Sequence, residues 1–210
     1  MGPRPRLAIL ISGRGSNMVA ILDAIAAGQL DAEPALVFAN DPSAPGLALA
    51  AARGVATAAL DHHGRERAAF DAEVDARLRD AGAGLVACAG YMRIMTPRLI
   101  EPWAGRMLNI HPSLLPAFRG LDTHARALAA GCAFHGCTVH EVTLELDAGR
   151  ILGQAAIATR AADTPATLAA RLLPLEHRLY PAVIQRVIAD PEGARRAPLA
   201  LLPGAEADSR

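Results

Sequence analysis

Asn109 and His111 stand two apart in the short apolar run Met107-Leu108-Asn109-Ile110-His111. In an extended segment that spacing puts both side chains on one face. An amide donor beside an imidazole can stabilise a developing oxyanion and handle a proton. A carboxylate close by would favour the charged imidazole. Asp147 is the candidate for that role, although the linear sequence does not bring it there. Each residue also has a plain reading: Asn-x-His is commonly a hydrogen-bonded structural pair, and Asp147-Ala148-Gly149 is a good turn signal with no chemistry attached.

A second group could hold an anion. Ser12-Gly13-Arg14-Gly15-Ser16-Asn17 separates a buried-strand run, Leu7 to Ile11, from a helix-period stretch with Ile21, Leu22 and Ile25 on one face. Glycines there let a ligand approach the backbone, and the free N–H groups at a helix start point toward it. The loop lacks the lysine of a Walker motif and the third glycine of a dinucleotide fingerprint, so a single phosphate is the expected ligand. A tight turn with Ser or Asn as cap is the plain alternative. Cys132, His135, Cys137 and His140 invite a zinc reading. However, Cys137 and His140 differ in strand parity, and no Cys-x-x-Cys pair is present. No metal is expected there. His62-His63 reads as a solvated loop.

These groups need a scaffold. Leu7–Ile11, Pro34–Ala39, Val55–Leu60 and Leu85–Ala89 read as strands, with helices at Pro45–Arg53 and Arg65–Ala81 between them. Apolar strands alternating with helices predict an α/β, Rossmann-like, mostly parallel sheet flanked by helices. Thr138–Leu146 and Arg150–Thr159 predict an added antiparallel hairpin turning at Asp147-Ala148-Gly149. Thr164-Pro165 starts a long helix, Thr as N-cap and Pro at the first position. Its buried face carries Leu168, Leu172, Leu175 and Leu179, and Pro174 and Pro181 should kink it. The expected division is one domain over residues 1–189 and a loosely ordered tail over 190–210.

The 210 residues are 52% hydrophobic and 20% charged, which argues against disorder. Acids and bases balance at 21 each, so nothing favours nucleic acid or a membrane surface. Every basic residue is Arg, which removes any lysine-based mechanism. Three cysteines are too few for a disulfide scaffold. No run reaches the ~18 apolar residues of a membrane span. A cytoplasmic monomer or homodimer acting on small molecules is expected.

Ser12 to Asn17, Gly90-Tyr91-Met92-Arg93-Ile94-Met95, Leu108 to Pro116 (LNIHPSLLP), His135 to His140 (HGCTVH), Asp147 to Gly149 and Gln154 together resemble the glycinamide ribonucleotide transformylase family in order and spacing. The resemblance covers about residues 6–189 and implies formyl transfer from 10-formyltetrahydrofolate to the amine of glycinamide ribonucleotide, in purine biosynthesis. It implies Asn109, His111 and Asp147 as the catalytic set. Gly15, Ser16, Asn17 and Glu176 would bind the ribonucleotide. Arg67, Met92, Arg93, Ile94, Met95 and Asn109 would line the folate site. In the family no metal and no covalent enzyme intermediate take part. Arg14 fills a variable loop position, and Pro174 lies just before Glu176. Formyltetrahydrofolate deformylase resembles the chain too and would use the same triad on water. That family carries an additional N-terminal domain, which a first strand near residue 7 leaves no room for, so transfer is expected.

Overall fold

The computed structural model describes residues 4–202. In chain order the elements are β1 (Arg6–Ile11), α1 (Ser16–Ala26), β2 (Glu33–Ala39), α2 (Pro45–Ala51), β3 (Thr57–Ala59), α3 (Arg67–Asp80) and β4 (Leu85–Cys88). Then come α4 (Pro97–Ile100), a 3-10 turn (Glu101–Trp103), β5 (Met107–His111), α5 (Thr123–Ala129), β6 (Phe134–Glu141), β7 (Ile151–Ala158), α6 (Pro165–Ala189), α7 (Pro191–Arg196) and β8 (Leu199–Leu201). The strands form one sheet in the order β3-β2-β1-β4-β5-β6-β7-β8. β6 pairs antiparallel with both neighbours and every other pairing is parallel, so β6 alone runs against the rest.

Side-chain alternation along β1 builds two cores. Leu7, Ile9 and Ile11 pack with Met18 and Ile21 of α1 and the leucine face of α6. Ala8 and Leu10 pack on the other face with Phe70, Val74 and Leu78 of α3. Burial on both faces explains why these strands read as continuous apolar runs. The strand order reverses at β1, where the chain goes to β2 on one side and later to β4 on the other. Ligands of open α/β sheets sit at such a switch point, beyond the strand ends. The two loops there touch: the Ser12 N–H donates to Gly90 O at 3.1 Å.

Two local expectations are corrected, the tight hairpin and the loose tail. The hairpin is not tight: β6 ends at Glu141, and residues 142–150 form an irregular connector. The Val142 N–H donates to Met107 O at 2.8 Å and so extends the pairing with β5 one residue beyond β6. The connector folds back so closely that a Cβ on Gly149 would lie 1.8 Å from Glu141 O, and only glycine fits. α6 runs 25 residues through both internal prolines. Its Thr164–Thr167 capping box and a buried stripe of Leu168, Leu172, Leu175, Leu179 and Val183 hold it. Each buried aliphatic contributes about 1.5–3 kcal/mol, which offsets a cost of roughly 3 kcal/mol per internal proline. Residues 191–201 are structured rather than loose. α7 is capped by the Asp190 side chain, and β8 adds a parallel edge strand beside Gly153, Gln154 and Ala155. The remainder of the expected tail, 203–210, lies outside the described residues.

Candidate active site

β5 ends at the sheet's switch-point side with Asn109 and His111 on one face, as their spacing requires. The antiparallel register sets Asn109 opposite His140 and His111 opposite Thr138. The 142–150 connector then brings Asp147 back over β5. Asp147 is held at φ 50, a left-handed conformation uncommon outside glycine, and its Oδ2 accepts the Gly120 N–H at 2.9 Å. Its carboxylate lies 3.4 Å from His111 Nδ1 and 3.7 Å from His140 Nε2. The His111 and Asp147 side chains are only 8% and 7% exposed, so solvent screens their attraction weakly.

His111 has an acceptor at each ring nitrogen. Nε2 lies 3.0 Å from the Phe118 carbonyl, which can only accept. Nδ1 faces the Asp147 carboxylate. Only the doubly protonated ring supplies a proton to both. Phe118 and Asp122 share positive φ with Asp147, so the 112–122 segment that covers His111 is held in two uncommon conformations. Burial pushes the His140 pKa down, against the opposing effects of its bond to the Glu141 carbonyl and the Asp147 charge.

The loop after β1 forms a second centre. Gly15 sits at φ 69 as N-cap of α1, and no side chain caps the helix. The first-turn N–H groups of α1 are therefore available to an anion. Asn17 turns inward, and its Nδ2 donates to Glu176 Oε2 of α6 at 2.7 Å. Burial raises the Glu176 pKa, opposed by that hydrogen bond. Asn17, 159 residues away in sequence, thus brings Glu176 to the loop in spite of the neighbouring Pro174. Arg14 is exposed.

The segment after β4 borders this loop. The Met92 N–H donates to Ser12 Oγ at 2.7 Å. Met92 and Ile94 are exposed apolar side chains, Met95 is half-buried, and Arg93 stacks over Phe70 of α3 at 4.3 Å. Arg67 is exposed at the first turn of that same helix. Residues 92–95 and the start of α3 are therefore neighbours.

The residues of the zinc reading separate. Cys137 is buried in the α6-side core, His135 bonds His124 at 3.0 Å, and His140 faces Asn109 and Asp147. Among the described residues, one ligand atom each of Asp61, His62 and His63 lies within 4.8 Å of the others, on an exposed loop. His62 Nδ1 is already engaged there by Asn40 O at 2.8 Å. Sequence reasoning missed His140 as a partner of Asn109 and Asp147, and His124 altogether. The first depends on the β5–β6 register, which puts the motif's final histidine directly across from Asn109 and which only the fold reveals.

The chain is similar to known proteins over most of its length. A family model described as formyl transferase matches residues 5–184. The phosphoribosylglycinamide formyltransferase of Escherichia coli strain K12 is 41% identical over 179 residues, 85% of this chain and 84% of that protein. The trifunctional purine biosynthetic protein adenosine-3 of Homo sapiens is 40% identical over 185 residues, 88% of this chain and 18% of that much longer protein. Glycinamide ribonucleotide transformylase 1 from Symbiobacterium toebii superposes with a TM-score of 0.88 at 41% identity, over 90% of each chain. The chain belongs to the formyl transferase family. Within it, the chain is an enzyme of the phosphoribosylglycinamide formyltransferase type. Among the described residues, no helix is long and apolar enough to cross a membrane.

Proposed function

We propose that this enzyme transfers the formyl group of 10-formyltetrahydrofolate to the amine of glycinamide ribonucleotide. The observation that carries the proposal is the His111 ring, with one nitrogen on Asp147 and the other on a carbonyl. It lies on the same strand face as Asn109, at the sheet end that also holds the Gly15 loop. 10-Formyltetrahydrofolate supplies an activated formyl carbon. The substrate amine attacks that carbon, a new C–N bond forms, the bond from the carbon to N10 breaks, and the amine proton ends on N10. Charge develops on the formyl oxygen meanwhile. Asn109 donates an amide N–H to it and the charged His111 donates Nε2–H, while Asp147 keeps His111 charged. Nε2–H must share or exchange the Phe118 carbonyl to do so, since Nδ1 is turned to Asp147.

Gly15, Ser16 and Asn17 with the start of α1 suit the ribonucleotide phosphate, and Glu176, bound to Asn17, suits a neighbouring hydroxyl. Met92 and Ile94 offer apolar surface to a pterin, with Arg93, Met95 and Arg67 alongside. The test incubates the purified chain with both substrates and follows formylated ribonucleotide and released tetrahydrofolate in equal amounts. Formate released without formylated ribonucleotide would replace this reading with deformylation.

A further inference from the structure

His140 has hydrogen-bond partners that fix its protonation by geometry. The side chain is 3% exposed. Nδ1 lies 2.9 Å from the Glu141 carbonyl, which can only accept, so Nδ1 carries the proton. With Nδ1 protonated and burial opposing a second proton, Nε2 keeps its lone pair, and it lies 3.2 Å from Asn109 Nδ2, a donor. The ring is neutral. Its charged neighbours act in opposite senses: Asp147 Oδ1, 3.7 Å from Nε2, favours a proton there, and His111 on β5 disfavours one. The Glu141 carboxylate is taken up by Arg195 of α7 at 2.7 Å. Burial is the largest influence and keeps the proton off. One carboxylate therefore faces two histidine rings, His111 through Nδ1 and His140 through Nε2.

The consequence falls on Asn109. An amide can rotate by half a turn and exchange its oxygen and nitrogen at little cost unless a neighbour selects one orientation. The bond to His140 is the only one made by the Asn109 side chain among the described residues. With one N–H given to Nε2, the second N–H is left for a ligand. Without that acceptor, the amide oxygen could turn toward the reacting group and repel a developing negative charge. We propose that His140 is a positioning residue, whose neutral Nδ1–H form fixes the orientation of the Asn109 amide so that it presents N–H to the formyl oxygen. This rests on the formyl-transfer reading for the role of Asn109. The state of the His140 ring itself does not.

Two measurements test it. The first is nitrogen-15 NMR of the histidine rings in the full wild-type chain at pH 7.5, with the His140 signals assigned by their loss in His140→Gln. A protonated Nδ1 and a bare Nε2 are expected. An imidazolium pattern, or the proton on Nε2, overturns the proposal whatever the activity. The second is kinetic. His140→Leu removes the acceptor and should lower kcat by about tenfold to a hundredfold, with each KM within about threefold of wild type. His140→Gln can present an oxygen near the Nε2 position and should recover most of the loss. Equal losses in the two variants, or an undiminished kcat in His140→Leu, overturn the proposal. If His140→Leu does not fold, the wild-type spectrum decides alone. A wild-type chain that forms no formylated ribonucleotide sinks the functional reading and leaves the spectrum to be read independently.

Discussion

Asp147 faces two imidazoles with one carboxylate, and the orientation of its two oxygens divides the work. Oδ2 takes the Gly120 N–H and faces His111, while Oδ1 lies toward His140. Asp147→Asn keeps the shape and an oxygen for the Gly120 bond but removes the negative charge 3.4 Å from His111 Nδ1, on which the proposed mechanism relies. Turnover should fall by about 10²–10³-fold, the scale of losing an oxyanion donor, and His111→Ala should cost at least as much. If Asp147 acts through His111, as proposed, the double variant should be little worse than His111→Ala alone. A double-mutant cycle on kcat measures this, with thermal melts as control. Losses that multiply would show that Asp147 works independently of His111. Gly15 is constrained differently. At φ 69 any side chain is strained, and a Cβ would come 2.9 Å from Met18 Cε. Gly15→Val should weaken ribonucleotide binding at least about tenfold and leave folate binding within about twofold, because the strain is local to the α1 N-terminus. Separate titrations with the two substrates measure it, and equal loss of both would remove the phosphate role.

Elements differ in how far the sequence reveals them. β1, β2 and β4 were legible because burial on two faces needs unbroken apolar runs, and the loop after β1 was legible because its glycines interrupt such a run. Asn109 and His111 could be paired because two residues on one strand share a face by geometry alone. Asp147 could not be placed, since its position depends on the 142–150 connector packing against Glu141, a contact between backbones. His140 was hidden for a related reason: a cross-strand partner is set by register, which is a tertiary property. The pair of half-buried His124 and buried His135, joining α5 to β6, was equally out of reach, and it has a measurable consequence. Burial, assisted by His124, depresses the His135 pKa from its ordinary 6.5 to about 4, against a hydrogen bond to the Pro112 carbonyl. The folded state thus binds its proton later than the unfolded state does. Stability from this group is complete above pH 6.5 and is lost as the pH falls toward 4. His124, His140 and His177 are shifted in the same direction, each mainly by burial. Wild type should therefore lose melting temperature steadily between pH 7 and about pH 4.5, and His135→Gln, which does not titrate, should lose less over that interval. Equal slopes for the two proteins would show that His135 is already protonated in the fold.

For the whole molecule, the segment 191–201 is more than an appendage to the sheet. α7 and β8 close the β7 edge, and Ala194 is buried against the α6-side core. The polar tie is Arg195. Its Nε donates to Glu141 at 2.7 Å, one terminal nitrogen to Glu192 at 2.7 Å and the other to Gly105 O at 3.0 Å. One side chain so joins α7, the end of β6 and the turn before β5, the strands that carry His140 and Asn109. It is 23% exposed, and charged hydrogen bonds in that setting contribute about 1.5–3 kcal/mol together with the cost of stranding their partners. In a chain of this length 1 kcal/mol corresponds to roughly 2–4 °C, so Arg195→Ala should melt about 4–10 °C below wild type. Arg195 touches no residue of the proposed catalytic set, only the backbone neighbour of His140. At a temperature where both proteins are folded, kcat should therefore change by less than about threefold, far less than in Asp147→Asn. Calorimetry beside initial rates separates the two effects. A melting temperature unchanged from wild type would mean that α7 is held by its apolar contacts alone, and a kcat loss like that of Asp147→Asn would mean that the end of β6 must be anchored from outside for Asn109 to work.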